Sequence, residues 1–454
     1  DVAPSRGLGD VYKRQGKYDE LIRDLIDSPE DAISFCQTHI LLFSMEYIYE
    51  PNEDILGLIY ISCKNIGNRK ATGSYYTSTK VVKNLISKFD FQDEEKILDP
   101  CCGTGNFLIQ LPNSVSFNSI YGNDIDAVSV KIARLNMALK FNVPITLIYE
   151  HITKLDFLTD FLSNGFHYII GNPPWGYEFS ENEKNKLKKT FKSTSGKNIE
   201  SYDVFIEQAL RHLSYNGHLA FVLPEAILNV KAHTNIREII LQSCSIKNLD
   251  FLGNAFDGVQ CPCIILDLQN THSSLSTLGM NVNTRSETFT INTERKVTSK
   301  YFSFSTNDDE YNVLKKIRTT DNTAFLLGNA DFALGIVTGN NKEYISDEKT
   351  PDNEMVLKGA DISKYHINPA TNYIIFKPES FQQIAPTEMY RAKEKLLYRF
   401  ISSQLVFAYD NKQTLSLNSC NIVIPRIPGT KMKYVLAIPV SYTHLRAHET
   451  ELHL

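Results

Sequence analysis

Four consecutive residues, Asn172-Pro173-Pro174-Trp175, carry chemistry that is hard to explain as packing alone. They follow the run His167-Tyr168-Ile169-Ile170-Gly171, which has the composition of a buried strand ended by glycine. Two successive prolines remove two backbone donors and hold φ at about −65°, and the residue before a proline is driven toward extended geometry. The loop is stiff. It can offer a planar ligand one amide oxygen, one proline carbonyl and the flat face of the only tryptophan in the chain. A plain strand-to-turn exit is the other reading of the same residues.

Upstream, Asp99-Pro100-Cys101-Cys102-Gly103-Thr104-Gly105-Asn106-Phe107 places an acid at a strand end before a glycine loop and a new helix. It is no P-loop, because no Lys-Ser/Thr follows, and it lacks the third glycine of the dinucleotide fingerprint. A nucleotide-like ligand without a pyrophosphate fits better. In an S-adenosylmethionine site such a loop packs on the amino-acid half of the ligand, and the acid takes its ammonium through hydrogen bonds. Asp124 ends the next strand, where a carboxylate can hold a ribose diol, and Asp126 reads as the cap of the following helix. Asp156 is placed to accept from an adenine amino group, with Phe157 covering the ring. Gly73-Ser74-Tyr75-Tyr76-Thr77-Ser78 is a polar turn, with Thr77 or Ser78 as N-cap of the helix patterned by Val81, Val82, Leu85 and Ile86.

Positioning these residues takes alternating strands and helices from about Val81 to Gln269. Strands are expected at Lys96–Asp99, Ile120–Asp126, Ile145–Tyr149, His167–Gly171 and Gly217–Pro224, closed by a hairpin of Ile246–Leu252 with Cys263–Leu268. The fold class is α/β: a Rossmann-like, doubly wound, mainly parallel sheet with its ligand loops at the carboxyl ends of the strands. A helical segment, residues 16–70, leads in, patterned by Leu21, Ile22, Leu25 and Ile26 and again by Leu41, Leu42, Met45 and Ile48. The lysine-rich stretch 181–196 reads as a solvated loop, with phosphate contact as the second reading. Residues 271–324 turn to Ser, Thr and Asn and read as a linker with some strand. A mixed α+β region, 325–439, follows, with short β-type runs and a helix-like stretch from Tyr390 to Phe400.

With 454 residues the chain has room for two or three domains. No apolar run is long enough to span a bilayer, so no membrane partner is expected. The eight cysteines form no CxxC pair and no zinc-like cluster, which predicts reduced thiols in the cytoplasm and no metal. A net charge of −5 excludes binding of a polyanion by the global field and leaves it to a local basic groove. Residues 1–15 and 440–454 resemble translated sequencing-adapter read-through, which predicts that the natural polypeptide is cut at both ends.

Taken together, these motifs resemble the amino-group DNA methyltransferases. The likeness is to adenine-N6 enzymes whose cofactor motifs precede Asn-Pro-Pro-aromatic and whose target-recognition domain follows. It runs in order from about Ala71 to Ala437, making residues 71–270 the catalytic domain. The resemblance implies S-adenosyl-L-methionine as cofactor, held by Tyr76, Thr77, Asp99, Pro100, Gly103, Gly105, Phe107, Asp124, Asp156, Phe157 and Asn172. It implies Asn172, Pro173, Pro174 and Trp175 as the catalytic motif, and Trp175 with Phe256 as the rings that sandwich a flipped adenine. Gly335-Ile336-Val337-Thr338-Gly339-Asn340-Asn341-Lys342 looks like the start of the recognition domain of Type IIG restriction-modification enzymes, here truncated near Ile438. The implied partners are double-stranded DNA, met as a monomer, and a restriction endonuclease domain or subunit. Methylation of RNA or of a protein glutamine, or a non-catalytic DNA-recognition subunit, are the alternative readings.

Overall fold

The computed structural model describes residues 19–25, 28–39, 52–63, 76–161, 163–196, 199–256, 261–273, 275–321, 323–402 and 404–441. The expected read-through at residues 1–15 and from residue 442 onward lies outside these, as do Leu41 to Ile48 of the lead-in pattern and Gly73 to Tyr75 of the first turn. The chain divides into two compact units, one to Tyr311 and one from Asn312.

Among the described residues the first unit is built on nine strands: β1 Ile97–Asp99, β2 Ile120–Asp124, β3 Ile152–Lys154, β4 Phe166–Gly171, β5 Leu213–Pro224, β6 Cys244–Asn254, β7 Pro262–Asn270, β8 Asn281–Asn283 and β9 Thr288–Thr290. They lie in the order β3-β2-β1-β4-β5-β7-β6-β8-β9. The pairs β3-β2, β2-β1, β1-β4 and β4-β5 are parallel, whereas β7 runs antiparallel between β5 and β6. Central strands read as continuous apolar runs because both faces are covered: Leu219, Ala220, Phe221, Val222 and Leu223 of β5 are all buried. Helix Ala127–Lys140 starts where Asp126 was expected to cap it, its carboxylate accepting the Val128 N–H. Helix Thr79–Ile86 has Ser78 at the cap position without a side-chain bond. In the lead-in, helices form at Asp19–Leu25, Pro29–Thr38 and Ile55–Cys63.

Three local expectations are corrected. Ile145–His151 is a helix begun at Pro144, and the third strand is the shorter Ile152–Lys154 that follows. Its short apolar run fits both periods, and burial of Ile148 with Ile152 decides for a helical turn feeding an edge strand. Residues 181–190 are a helix, Glu181–Thr190, rather than a loop. Ser180 and Glu183 close a reciprocal capping box at its start, and Leu187 anchors it. Tyr390–Phe400 is not helical: a short helix, Thr387–Tyr390, precedes strand Lys395–Arg399. The stretch 271–324 contributes β8 and β9 to the sheet edge, and Phe302 and Phe304 to the core. Buried Arg237 fastens it by donating to the Ser299 and Lys300 carbonyls at 2.7 and 2.8 Å.

In the second unit, strands Ala330–Ala333, Cys420–Pro425, Lys395–Arg399 and Phe407–Asp410 form one antiparallel sheet. Lys395 and Asp410 pair at 2.9 Å with neither side chain exposed. Gly335, opening the Gly-Ile-Val-Thr-Gly run, packs so tightly that a Cβ would lie 2.0 Å from the Leu417 carbonyl oxygen.

Candidate active site

The sheet order reverses beside β1: β2 lies on one side of it and β4 on the other, so connections leave in opposite directions and a crevice opens at the carboxyl ends. Asp99, Asp124 and Gly171 are the last residues of those three strands. A cavity of about 350 Å³ lies there, in the size class of cofactor sites. The glycine loop forms part of its wall, with Gly103 and Gly105 at φ +52° and +93°, a region only glycine adopts freely.

The acids differ in their surroundings. Asp124 is half-buried; one carboxylate oxygen accepts the Gly103 N–H at 2.8 Å and the other accepts the Asp126 N–H at 2.8 Å. Asp124 also lines the cavity. Asp99 is 1% exposed. Its Oδ1 accepts the Cys101 N–H at 3.1 Å, and its Oδ2 has no partner among the described residues. Burial, reinforced by the Asp124 charge, raises its carboxyl well above the ordinary carboxylate range. Gly171 is required beside it, since a Cβ there, at φ +152°, would stand 2.6 Å from Asp99 Oδ1. Burial and the same two acids also push the Cys101 and Cys102 thiols well up, leaving them neutral.

Asn172 lies where β4 ends. Its Nδ2 donates to the Thr77 hydroxyl at 3.1 Å, while its buried Oδ1 has no partner among the described residues. Thr77 is itself fixed, its carbonyl accepting from Asn106 Nδ2 at 2.6 Å. The Ser201 hydroxyl donates to the Pro174 carbonyl at 2.5 Å and tethers the loop to helix Ser201–His212. Tyr76 stands at the cavity wall with its phenol pushed up to about 12, chiefly by burial. Asp156 lines the cavity while one oxygen accepts the Leu158 N–H at 2.9 Å. Phe157 lines it too, from an aromatic cluster with Phe161 and Phe205.

Tyr76, Thr77, Pro100, Gly103, Phe107, Asp124, Asp156, Phe157, Asn172 and Pro174 therefore share one cavity. Asp99, Gly105, Pro173, Trp175 and Phe256 do not line it. Trp175 and Phe256 touch each other instead, edge to face, with ring centroids 4.8 Å apart and planes at 82°. That geometry is not a parallel sandwich, because a base has no slot between rings in contact. Sequence reasoning missed Asn106, Tyr177, Phe179 and Phe205 in the wall. The aromatic pair two and four residues after Trp175 was a signal in plain view, whereas Ile61, from the lead-in helix, gave none.

Comparison with known proteins identifies the family. The N-6 DNA methylase family model matches residues 52–322, and the TaqI-like C-terminal specificity domain matches residues 354–441. The Type II methyltransferase M.VspI of Vibrio sp. (strain 343) is 28% identical over 324 residues, 69% of this chain and 76% of that protein. The methylase subunit of the Escherichia coli Type I restriction enzyme EcoEI is 26% identical over 216 residues, 44% of this chain and 42% of its own. Among solved structures, a DrdV–DNA complex has a TM-score of 0.56 at 12% identity, covering 81% of this chain and 51% of that one. The Type IIL restriction-modification enzyme MmeI in complex with DNA has a TM-score of 0.55 at 13% identity, covering 87% and 67%. At such identities the structures speak for the fold. The chain spans about half the length of DrdV and less than half of the EcoEI subunit. With one family model matching more than half of its residues, the chain belongs to the N-6 DNA methylase family.

Proposed function

We propose that the chain transfers a methyl group from S-adenosylmethionine to the N6 amino group of adenine in double-stranded DNA, as the modification activity of a restriction-modification system. The observation that carries this reading is Asn172: an amide anchored through its nitrogen, with a buried oxygen free to accept, at the edge of a cofactor-sized cavity. Residues 71–270 would hold the chemistry and 325–439 the recognition of sequence.

The residues present fit the cofactor. Asp99 has an orphaned buried carboxylate oxygen suited to a nearby ammonium, and Asp124 puts a carboxylate at the end of β2 on the cavity wall, where a ribose diol can donate to it. Gly103 allows close backbone approach, and Asp156 with Phe157 fits an adenine edge and face. When bound, S-adenosylmethionine supplies an electrophilic methyl on a sulfonium.

The chain must then make a poor nucleophile attack. Adenine's amino lone pair is delocalised into the ring, so the base has to leave the duplex and be held by acceptors. We assign these to Asn172 Oδ1 and the Pro173 carbonyl, which accept the two N–H bonds and localise the lone pair. Proline rigidity and the Ser201 tether hold them in place, so much of the rate comes from orientation. One face of Trp175 receives the base, a stack worth roughly 1–3 kcal/mol, and Phe256 swings aside to cover the other face. The chain would act as a monomer on DNA, alongside a restriction endonuclease domain or subunit.

Tritiated-methyl transfer to unmethylated genomic DNA, followed by nucleoside analysis, tests the reading. N6-methyladenine is the expected product; label in cytosine, in RNA or in protein would refute it. Asn172→Ala should slow transfer by roughly 10²–10³-fold, the scale for losing one catalytic hydrogen-bonding group, a larger loss than any in cofactor affinity.

A further inference from the structure

One segment outside the sheet reaches the glycine loop. Asp54, immediately before helix Ile55–Cys63, is 1% exposed and surrounded by donors. Its Oδ2 accepts the Thr104 hydroxyl, and its Oδ1 accepts the Gly57 N–H and Asn136 Nδ2, each at 2.8 Å. Asn136 Nδ2 also donates to the Thr104 carbonyl at 2.8 Å. Thr104 stands between Gly103 and Gly105, whose backbones have little conformational preference of their own. The loop's shape must therefore be imposed from outside, by Asp124 on Gly103 and by Asp54 on Thr104.

Gly57 provides an independent observation. A Cβ there would lie 2.0 Å from Asp54 Oδ2 and 2.1 Å from Thr104 Oγ1, so the helix carries glycine to admit the carboxylate and hydroxyl against it. The same helix sends Ile61 to the cavity wall, and its Tyr60 hydroxyl donates to Asp126 Oδ2 at 2.7 Å.

We infer that Asp54 is a positioning residue for the cofactor: through Thr104 it sets the glycine loop, and helix Ile55–Cys63 is one wall of the cofactor site. The inference rests on the cofactor reading above. A residue that only stabilised the fold would weaken DNA and cofactor binding together; Asp54 is expected to raise the KM for S-adenosylmethionine and leave the KM for DNA unchanged.

The test is titration calorimetry of the full chain with S-adenosylmethionine, with steady-state KM values for both substrates. Asp54→Asn and Thr104→Val should each weaken cofactor binding roughly ten- to a hundredfold, the scale of one hydrogen bond to a charged group. The double variant should be no weaker than the worse single, because both act through one contact. Thr104→Ser, which keeps the hydroxyl, should restore affinity; Gly57→Ala should reproduce the loss and exposed Leu58→Ala should not. Cofactor affinity of Asp54→Asn within about twofold of wild type, or additive losses in the double variant, would overturn the inference while leaving the cofactor reading intact. A wild-type chain that binds no S-adenosylmethionine would overturn both. If Asp54→Asn does not fold, the contrast between Thr104→Ser and Thr104→Val decides: recovery with serine supports the inference, equal loss refutes it.

Discussion

Asn172 and Thr77 divide one amide between them, the nitrogen engaged on the threonine hydroxyl and the oxygen left as a buried acceptor. Asp99 waits in a similar way, and its state can be read by protons. Its carboxyl, raised by burial, stays protonated at pH values where an exposed aspartate has ionised. A ligand carrying an ammonium and a sulfonium favours the carboxylate and lowers that pKa. Binding then releases a proton in the window between the two values, and affinity rises with pH across it. Calorimetry in buffers of different ionisation heat should find this release in wild type and none in Asp99→Asn; binding that releases no proton at any pH where the chain is folded would contradict it. Asp99 and Asn172 were legible because each adjoins a proline that marks a strand end, and Asp124 because it closes the next strand at the spacing of a βαβ unit. Asp54 was not, since its side-chain partners Thr104 and Asn136 lie 50 and 82 residues along the chain.

At the scale of elements, the strands flanking the reversal were readable as apolar runs ended by loop residues. What failed was arbitration within short stretches, as at Ile145–His151, where seven residues satisfy both helical and extended patterns and only the neighbours decide. The lysine-rich stretch failed differently. Its charges concealed the single buried Leu187 and the Ser180–Glu183 box that make it a helix. That helix begins two residues after Phe179, and Glu183 of its first turn lines the cavity with it, while Lys186, Lys188 and Lys189 are exposed. Contact of these lysines with DNA phosphates is the second reading of the stretch, and it can be tested. Replacing the three with glutamine should weaken DNA binding without regard to sequence and reduce the slope of log K against log [salt] by about 0.9 per lost contact. An unchanged slope would return the helix to a solvated surface.

For the whole molecule, the proposed function puts the chemistry in the first of the two compact units and the reading of sequence in the second. Every residue that lines the candidate cavity lies before Asn312. The second unit is held by the buried Lys395–Asp410 pair, and Lys395→Met would leave a carboxylate buried among backbone and threonine donors alone. The cost is on the order of 3–5 kcal/mol. Thermal scans should show a low-temperature transition in that variant, with site-selective methylation lost and S-adenosylmethionine affinity retained; loss of cofactor affinity would mean that the units are not separable in function. Trp175 adds something no other residue can supply. As the sole tryptophan among 454 residues, meeting Phe256 edge-on at 4.8 Å, it confines all indole emission to the loop where the proposed function seats the base. The chain carries its own optical gauge: when a purine face replaces a phenyl edge against that indole, unlabelled protein on unlabelled DNA changes its light.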